Sequence, residues 1–344
     1  MKIEKKLLAK LERCYAPSFT VVDGELRILL ATEGHGPCYQ FRGQDFEQST
    51  VWETPGGTMT MVPIPGKNGD FLAVQNFFPT FQAEKSAVVW AVPSADGSWK
   101  IETILSLPFT HRFDILAVNG INYFIAATLC TSKKNKDDWS DPGKIYVGIL
   151  PDQPGPFSIR PIKEGLVRNH GYNRVLCNGK IAGLVTCDQG AFLVTPPQQP
   201  GEEWSVETLM ETPIGDIAAC DIDGDGEDEI LTVEPFHGTR ICIRKKIDGR
   251  YETVWEYTKP VDFGHVTWGG MLRGVPTFIA GCRKECADLF YVQCESTNPL
   301  KFKVGLIDAA QGPSNVAVVS TEKRDIIIAA NRMVGEAVLY LVTD

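Results

Sequence analysis

One unit recurs seven times along this chain, and its last copy is one strand short. Each copy opens with a turn and a short apolar strand, then a hairpin and a second strand ending in small residues. A loop with polar and aromatic residues, a third strand and a charged fourth strand follow. The fifth copy shows it best: GDIAACD, EDEILTVE, PFHG, TRICIRKK and YETVWEY. First strands are expected to begin near Ser18, Thr58, His111, His170, Asp216, His265 and Asn315, at intervals of 40 to 59 residues. Repeats of this size made of four short strands predict the blades of a propeller. The last copy has only NVAVVS, DIIIAAN and AVLYLVT before Asp344. The N-terminal KIEKKLLAKLE carries the charge pattern of an outer strand, and pairing it with the last blade would close the ring and remove two sheet edges. The expectation is therefore an all-β, seven-bladed β-propeller, one domain over residues 1–344. A pair of β-sandwiches would leave the short last copy and the charged N-terminus unexplained. The N-terminal stretch also fits a short helix through Leu7, Leu8 and Leu11.

Composition narrows the function classes. A net charge of −9 with 34 Lys and Arg, and no basic run interleaved with aromatics, argues against a nucleic-acid partner. No apolar stretch approaches membrane-spanning length, so no membrane partner is expected. MKIEKKLLAKLERCYAP is charged throughout and lacks a secretory h-region, and a natural start at Met1 fits it. With ten scattered cysteines and no CxxC pair, a cytoplasmic chain with reduced thiols is expected. Cys282 and Cys286 in GCRKECAD are a weak metal signal on their own.

Residues 221–230 read DIDGDGEDEI. Asp221, Asp223, Asp225, Glu227 and Glu229 fall at every second position, with Gly224 and Gly226 between them for the sharp turn, a donor pattern suited to Ca or Mg. An EF-hand needs Glu at loop position twelve, where this chain has Thr232, and the flanking IAAC and ILTV are strand-forming. The motif resembles the FG-GAP or VCBS calcium loop of propeller blades. A plain acidic hairpin turn is the alternative. Because the loop joins strands one and two of blade 5, it is expected on the opposite face from the histidines and reads as a structural staple.

The loop entering strand one and the loop joining strands two and three open on the same face of a propeller. His111, His170 and His265 sit at the start of first strands, and His35 and His237 sit in loops between strands two and three. All five are expected at one mouth. For any single histidine, an ordinary polar turn residue is the alternative. His170, His237 and His265 come from consecutive blades, each beside a glycine, and are the candidate ligands of a divalent transition metal such as Zn, Mn or Fe. Arg112, Trp139, Asp188, Gln189, Glu234, Arg283, Asn331 and Arg332 fall in equivalent loops and are candidate substrate-binding residues. Lys284, Asp216, Phe77, Phe78 and Trp268 belong to the same face. Charges of both signs mixed with aromatic rings suit a small carbohydrate.

The calcium-type loop, the HGYN and FGHVTWGG openings and the DDWSDPGK insertion together resemble the propeller domain of the aldos-2-ulose dehydratase (1,5-anhydrofructose dehydratase) family and related sugar lyases. That family also has a cupin-like domain, for which this chain is too short. The resemblance implies elimination from a keto-sugar. On the residues, a metal on the three histidines would polarise a carbonyl, His111 or His35 would act as base or acid, and Tyr172 would be a second candidate acid. The expectation is a carbon–oxygen lyase acting on carbohydrate. A non-catalytic binding propeller and a metal-dependent sugar hydrolase or isomerase are the alternatives. The insertion at residues 130–144 is a candidate lid.

Overall fold

The computed structural model describes residues 1–177 and 179–344. Seven four-stranded antiparallel sheets form a ring. Six are built from continuous segments: 14–52, 61–106, 110–166, 171–210, 216–256 and 261–308. The seventh combines the last three strands with the first. Strand Lys2–Lys10 runs antiparallel to Glu336–Thr343, with Lys2 opposite Thr343 and Lys10 opposite Glu336. This confirms the closure expected from the sequence and replaces the alternative of an N-terminal helix. The closing strand is partly exposed along its length, as an outer strand should be. Lys10 pairs with Glu336 at 2.6 Å, and Lys5 with Asp308 at 2.9 Å across to blade 6.

Second strands are the best buried, for a simple reason. They lie inside their own sheet, and both faces pack against neighbouring blades. Every residue of Phe71–Gln75, Glu229–Glu234 and Asp325–Asn331 is buried. Outer strands such as Ile159–Leu166 face solvent on one side and carry the charges. The apolar core is therefore a set of interfaces between blades. Leu116, Tyr123, Ile125 and Val147 of blade 3 meet Val185, Phe192 and Val194 of blade 4. Leu231, Val233 and Ile243 of blade 5 meet Phe278, Phe290 and Val292 of blade 6. Each fully buried large apolar side chain contributes about 1.5–3 kcal/mol relative to exposure.

Observed strand starts depart from expectation in three places. The inner strand of blade 1 begins at Cys14 and not near Ser18, that of blade 2 is a three-residue strand, Met61–Pro63, and that of blade 6 spans Val261–Leu272. Among the described residues the only helix is the short 3₁₀ turn Thr80–Lys85, and none is long and apolar enough to cross a membrane.

Candidate active site

The inner strands carry β-bulges at equivalent positions of three blades. Register shifts fall between Cys14 and Ala16, between Thr110 and Arg112, and between Gly264 and Val266. The unpaired residues are Tyr15, His111 and His265. A bulge re-aims a side chain out of the sheet alternation, and here it turns these three toward the top of the central channel. His170 holds the corresponding place in blade 4, its N–H bonded to the Thr186 carbonyl ahead of strand Gly171–Cys177.

These rings are oriented by one repeated device. His111 Nδ1 lies 3.3 Å from the carbonyl of His170, His170 Nδ1 3.0 Å from that of Gly215, and His265 Nδ1 2.5 Å from that of Ser314. In each case the acceptor belongs to the matching residue of the next blade. An Nδ1–H donated to a carbonyl fixes the tautomer and leaves Nε2 as a lone-pair donor toward the cavity.

His237 completes the cluster from the loop between strands two and three of blade 5. Its backbone is left-handed, with φ of 47°. The ring is stacked between Phe236 at 3.9 Å and Phe263 at 4.0 Å. The loop can approach because Gly215 has no Cβ, which would otherwise lie 2.8 Å from the Phe236 Cα and the Pro235 carbonyl oxygen.

His237 Nε2 stands 3.2 Å from His170 Nε2. One ligand nitrogen from each of His170, His237 and His265 lies within 4.8 Å of the other two. Two imidazoles about 2.0–2.1 Å from a tetrahedral metal stand roughly 3.3 Å apart, so this group has the spacing and chemistry to hold a metal. Burial is the main reason that His111, His170, His237 and His265 all have pKa values well below the ordinary histidine value, with nearby cations adding to it. The neutral form that a ligand or base requires is thus favoured. The phenol of Tyr15 joins the two halves of the cluster, 3.2 Å from His111 Nε2 and 3.1 Å from His265 Nε2.

The cavity above the cluster has a volume of about 610 Å³. Trp139, Arg283 and Arg332 line it, as does Lys284. Trp139 comes from the 130–144 insertion, which leans over the mouth and packs on Phe236 at 5.7 Å.

Other sequence candidates are placed elsewhere. His35 is exposed, edge-on to Phe78 at 5.0 Å, and does not line the cavity. Tyr172 faces blade 3 in the channel below and donates its hydroxyl to Asp114 at 2.9 Å, beside Arg174, so it is held by a structural carboxylate. Arg112 also sits in the channel, donating to Asn315 at 2.9 Å and to the Met59 carbonyl. Asp188 binds Arg168 and so reaches the mouth only through it. Gln189 accepts from the Val167 N–H. Glu234 is clamped by Arg244 at 2.7 and 2.9 Å, and Asn331 is fully buried against Tyr340 and Gln311. These last three shape the loops and do not face the cavity. Sequence reasoning missed Tyr15, Glu33, Arg13, Arg168, Phe236 and Phe263. Tyr15 was discoverable, since CYAPS aligns with THRFD and GHVTW once the bulge is recognised.

Residues 221–228 lie at the opposite end of blade 5 from the His237 loop. Asp221, Asp223 and Asp225 converge there and could also hold a metal. Asp221 caps the turn, accepting from the Gly224 and Gly226 N–H groups. The Glu227 side chain is exposed, and Glu229 is buried. The ammonium of Lys245, from the third strand, already contacts Asp223, Asp225 and Glu229 at 2.8, 2.7 and 2.6 Å.

No family model and no curated protein matches the sequence. Solved structures match the fold. A crystal structure titled a putative 6-phosphogluconolactonase from Bacteroides fragilis superposes with a TM-score of 0.58 at 14% identity, covering 89% of this chain and 88% of that one. The PQQ-bound aldose sugar dehydrogenase of Streptomyces coelicolor gives 0.52 at 11% identity, covering 100% and 99%. Sqt1 of Saccharomyces cerevisiae gives 0.54 at 11%, covering 95% and 83%. At such identities the likeness establishes the propeller and nothing finer.

Proposed function

We propose that this protein is a metal-dependent lyase that eliminates water or an alcohol from a keto-sugar. The observation that carries the reading is the convergence of His170, His237 and His265 beside a Tyr15–His111 hydrogen bond. Two of the similar folds are titled as sugar-processing enzymes, which supports a carbohydrate substrate. The sequence resemblance to the aldos-2-ulose dehydratase family supports elimination.

His170, His237 and His265 would hold the divalent metal. When bound, it would supply Lewis acidity to a ketone oxygen and make the neighbouring C–H acidic. His111 is the candidate base. Its Nδ1 faces a carbonyl, so Nε2 carries the lone pair; it is hydrogen-bonded to Tyr15 at rest and accepts the substrate proton once the Tyr15 hydroxyl turns to the leaving oxygen. Tyr15 is the candidate acid, donating its hydroxyl proton to the oxygen leaving the β-carbon and recovering a proton from His111 over 3.2 Å. The balance is a C–H and a C–O bond broken, a C=C bond formed, and one water or alcohol released. The cavity walls from the 130–144 insertion, Trp139 above all, restrict solvent.

The test joins elemental analysis of untagged protein with a keto-sugar screen read by ultraviolet absorbance. The expected result is a stoichiometric transition metal and a product with a new conjugated chromophore. Calcium alone would overturn the reading in favour of a binding propeller. Ring opening or isomerisation without a chromophore would move it to the hydrolase or isomerase class.

For the DIDGDGEDEI loop, we read Lys245 as the resident cation in place of calcium or magnesium. Burial works against the Lys245 charge, but hydrogen bonds to three carboxylates outweigh it and raise its pKa. With the histidine metal already removed, a calcium chelator should leave the melting temperature of the wild-type protein unchanged. Lys245→Met should melt several degrees lower in chelator and regain the loss in calcium. A wild-type protein destabilised by chelation, with its histidine metal already removed, would show that a divalent ion displaces Lys245.

A further inference from the structure

The chain is acidic overall, but this mouth is not. Among the charged residues lining the cavity, Lys and Arg outnumber Asp and Glu by seven to two. The imbalance is sharpest where blades 6, 7 and 1 meet. Glu33 accepts from Arg13 at 3.1 Å and from Arg332 Nε at 2.7 Å, and Arg283 reaches it only at 3.8 Å. One carboxylate therefore serves three guanidinium groups, and two positive charges remain.

Arg283 is the least satisfied of the three. It is 8% exposed, and among the described residues its Nε is a buried donor with no hydrogen-bond partner. A buried donor left without a partner is costly, and an acceptor oxygen on a ligand would complete it. The guanidinium lies over the Phe263 ring at 4.6 Å and the Tyr15 ring at 5.5 Å. Phe263 stacks on His237, and Tyr15 bonds His265. Arg283 is thus one side chain from the histidine cluster on two sides. Burial, with Arg332 and Arg112 adding to it against the opposing pull of Glu33, lowers its pKa to about 10.

We propose that the ligand of this mouth is a sugar bearing an anionic group, a phosphate or a carboxylate, received by Arg283 with Arg332 and Arg13 around it. The inference deepens the carbohydrate reading above and rests on it. A fork of guanidinium donors suits both anions, since each offers paired oxygens. A neutral keto-sugar would leave the excess charge uncompensated.

The experiment needs neither metal nor turnover. Chelator-treated protein is titrated calorimetrically with inorganic phosphate, glucose 6-phosphate, glucuronate and glucose. The charged probes are expected to bind and glucose is not, with affinity falling as salt rises. Tighter binding of glucose 6-phosphate than glucuronate identifies phosphate as the anion, and the reverse identifies carboxylate. Arg283→Met should weaken the charged probes by about tenfold or more, with Arg332→Ala weakening them less. Equal binding of glucose, no binding of any probe, or anion binding that survives both substitutions would overturn the proposal. A protein that binds these anions but eliminates nothing would sink the lyase reading alone. One that eliminates from neutral keto-sugars and ignores anions would sink this inference alone.

Discussion

Purified without a histidine tag, His170→Ala is expected to carry no transition metal and to show no detectable turnover, while the wild-type protein carries about one ion per chain. His170 is the hub of the cluster. Its Nε2 is 3.2 Å from that of His237, and its ring centre is 4.2 Å from His111 and 5.1 Å from His265. Losing a partner that merely orients a ligand typically costs about 10–100-fold in metal affinity, and losing the ligand itself costs more. Two remaining imidazoles leave a site open to water on two sides. The substitution also opens a small buried space below the mouth, so circular dichroism and the melting temperature accompany the assay. A folded, active, metal-free His170→Ala protein would remove the metal from the mechanism, and a folded variant with undiminished metal would move the site elsewhere.

The blades were legible because strand alternation and burial repeat. A run such as DIIIAAN has to be buried on both faces, and only an inner position of a sheet provides that. Ring closure was legible from a deficit of one strand and a charged N-terminus to fill it. The shared mouth of His111, His170, His237 and His265 followed from strand direction, whereas His35 stays outside the cavity. What the sequence hid was the bulge. The first strand was expected near Ser18, so Tyr15 fell outside it, although the strand begins at Cys14 and runs through Pro17. Tyr172 illustrates the converse. It stands two residues from His170 in sequence, yet strand pairing opposite Val185 turns it sideways toward Asp114. Lys245 was hidden for a different reason. It reaches the acidic loop from the third strand, and only the pairing of that strand with Glu229–Glu234 shows it. Charge balance at the mouth was equally invisible, because Arg13, Glu33, Arg283 and Arg332 come from three blades and meet only once the ring closes.

Tyr15→Phe is expected to lower kcat by about 10²–10⁴-fold, the range for loss of a general acid, while metal content and KM stay close to wild type. The ring has a packing role that Phe preserves: it lies under Arg283 at 5.5 Å and edge-on to His265 at 5.4 Å. Only the hydroxyl is lost. That hydroxyl is fully buried and raised in pKa, chiefly by burial, so it is protonated throughout the working range and able to donate. With His265 Nε2 coordinating a metal, the hydroxyl has His111 as its remaining nitrogen partner, and acid and base are linked as one pair. Removing the proton donor should therefore slow departure of the leaving oxygen and leave ground-state binding alone, which separates kcat from KM. A substrate with a better leaving group should recover part of the lost rate, because its oxygen needs less protonation. If Tyr15→Phe instead loses metal or raises KM with kcat intact, the hydroxyl positions His265 or the sugar, and the acid must be sought among the lysines of the 130–144 insertion.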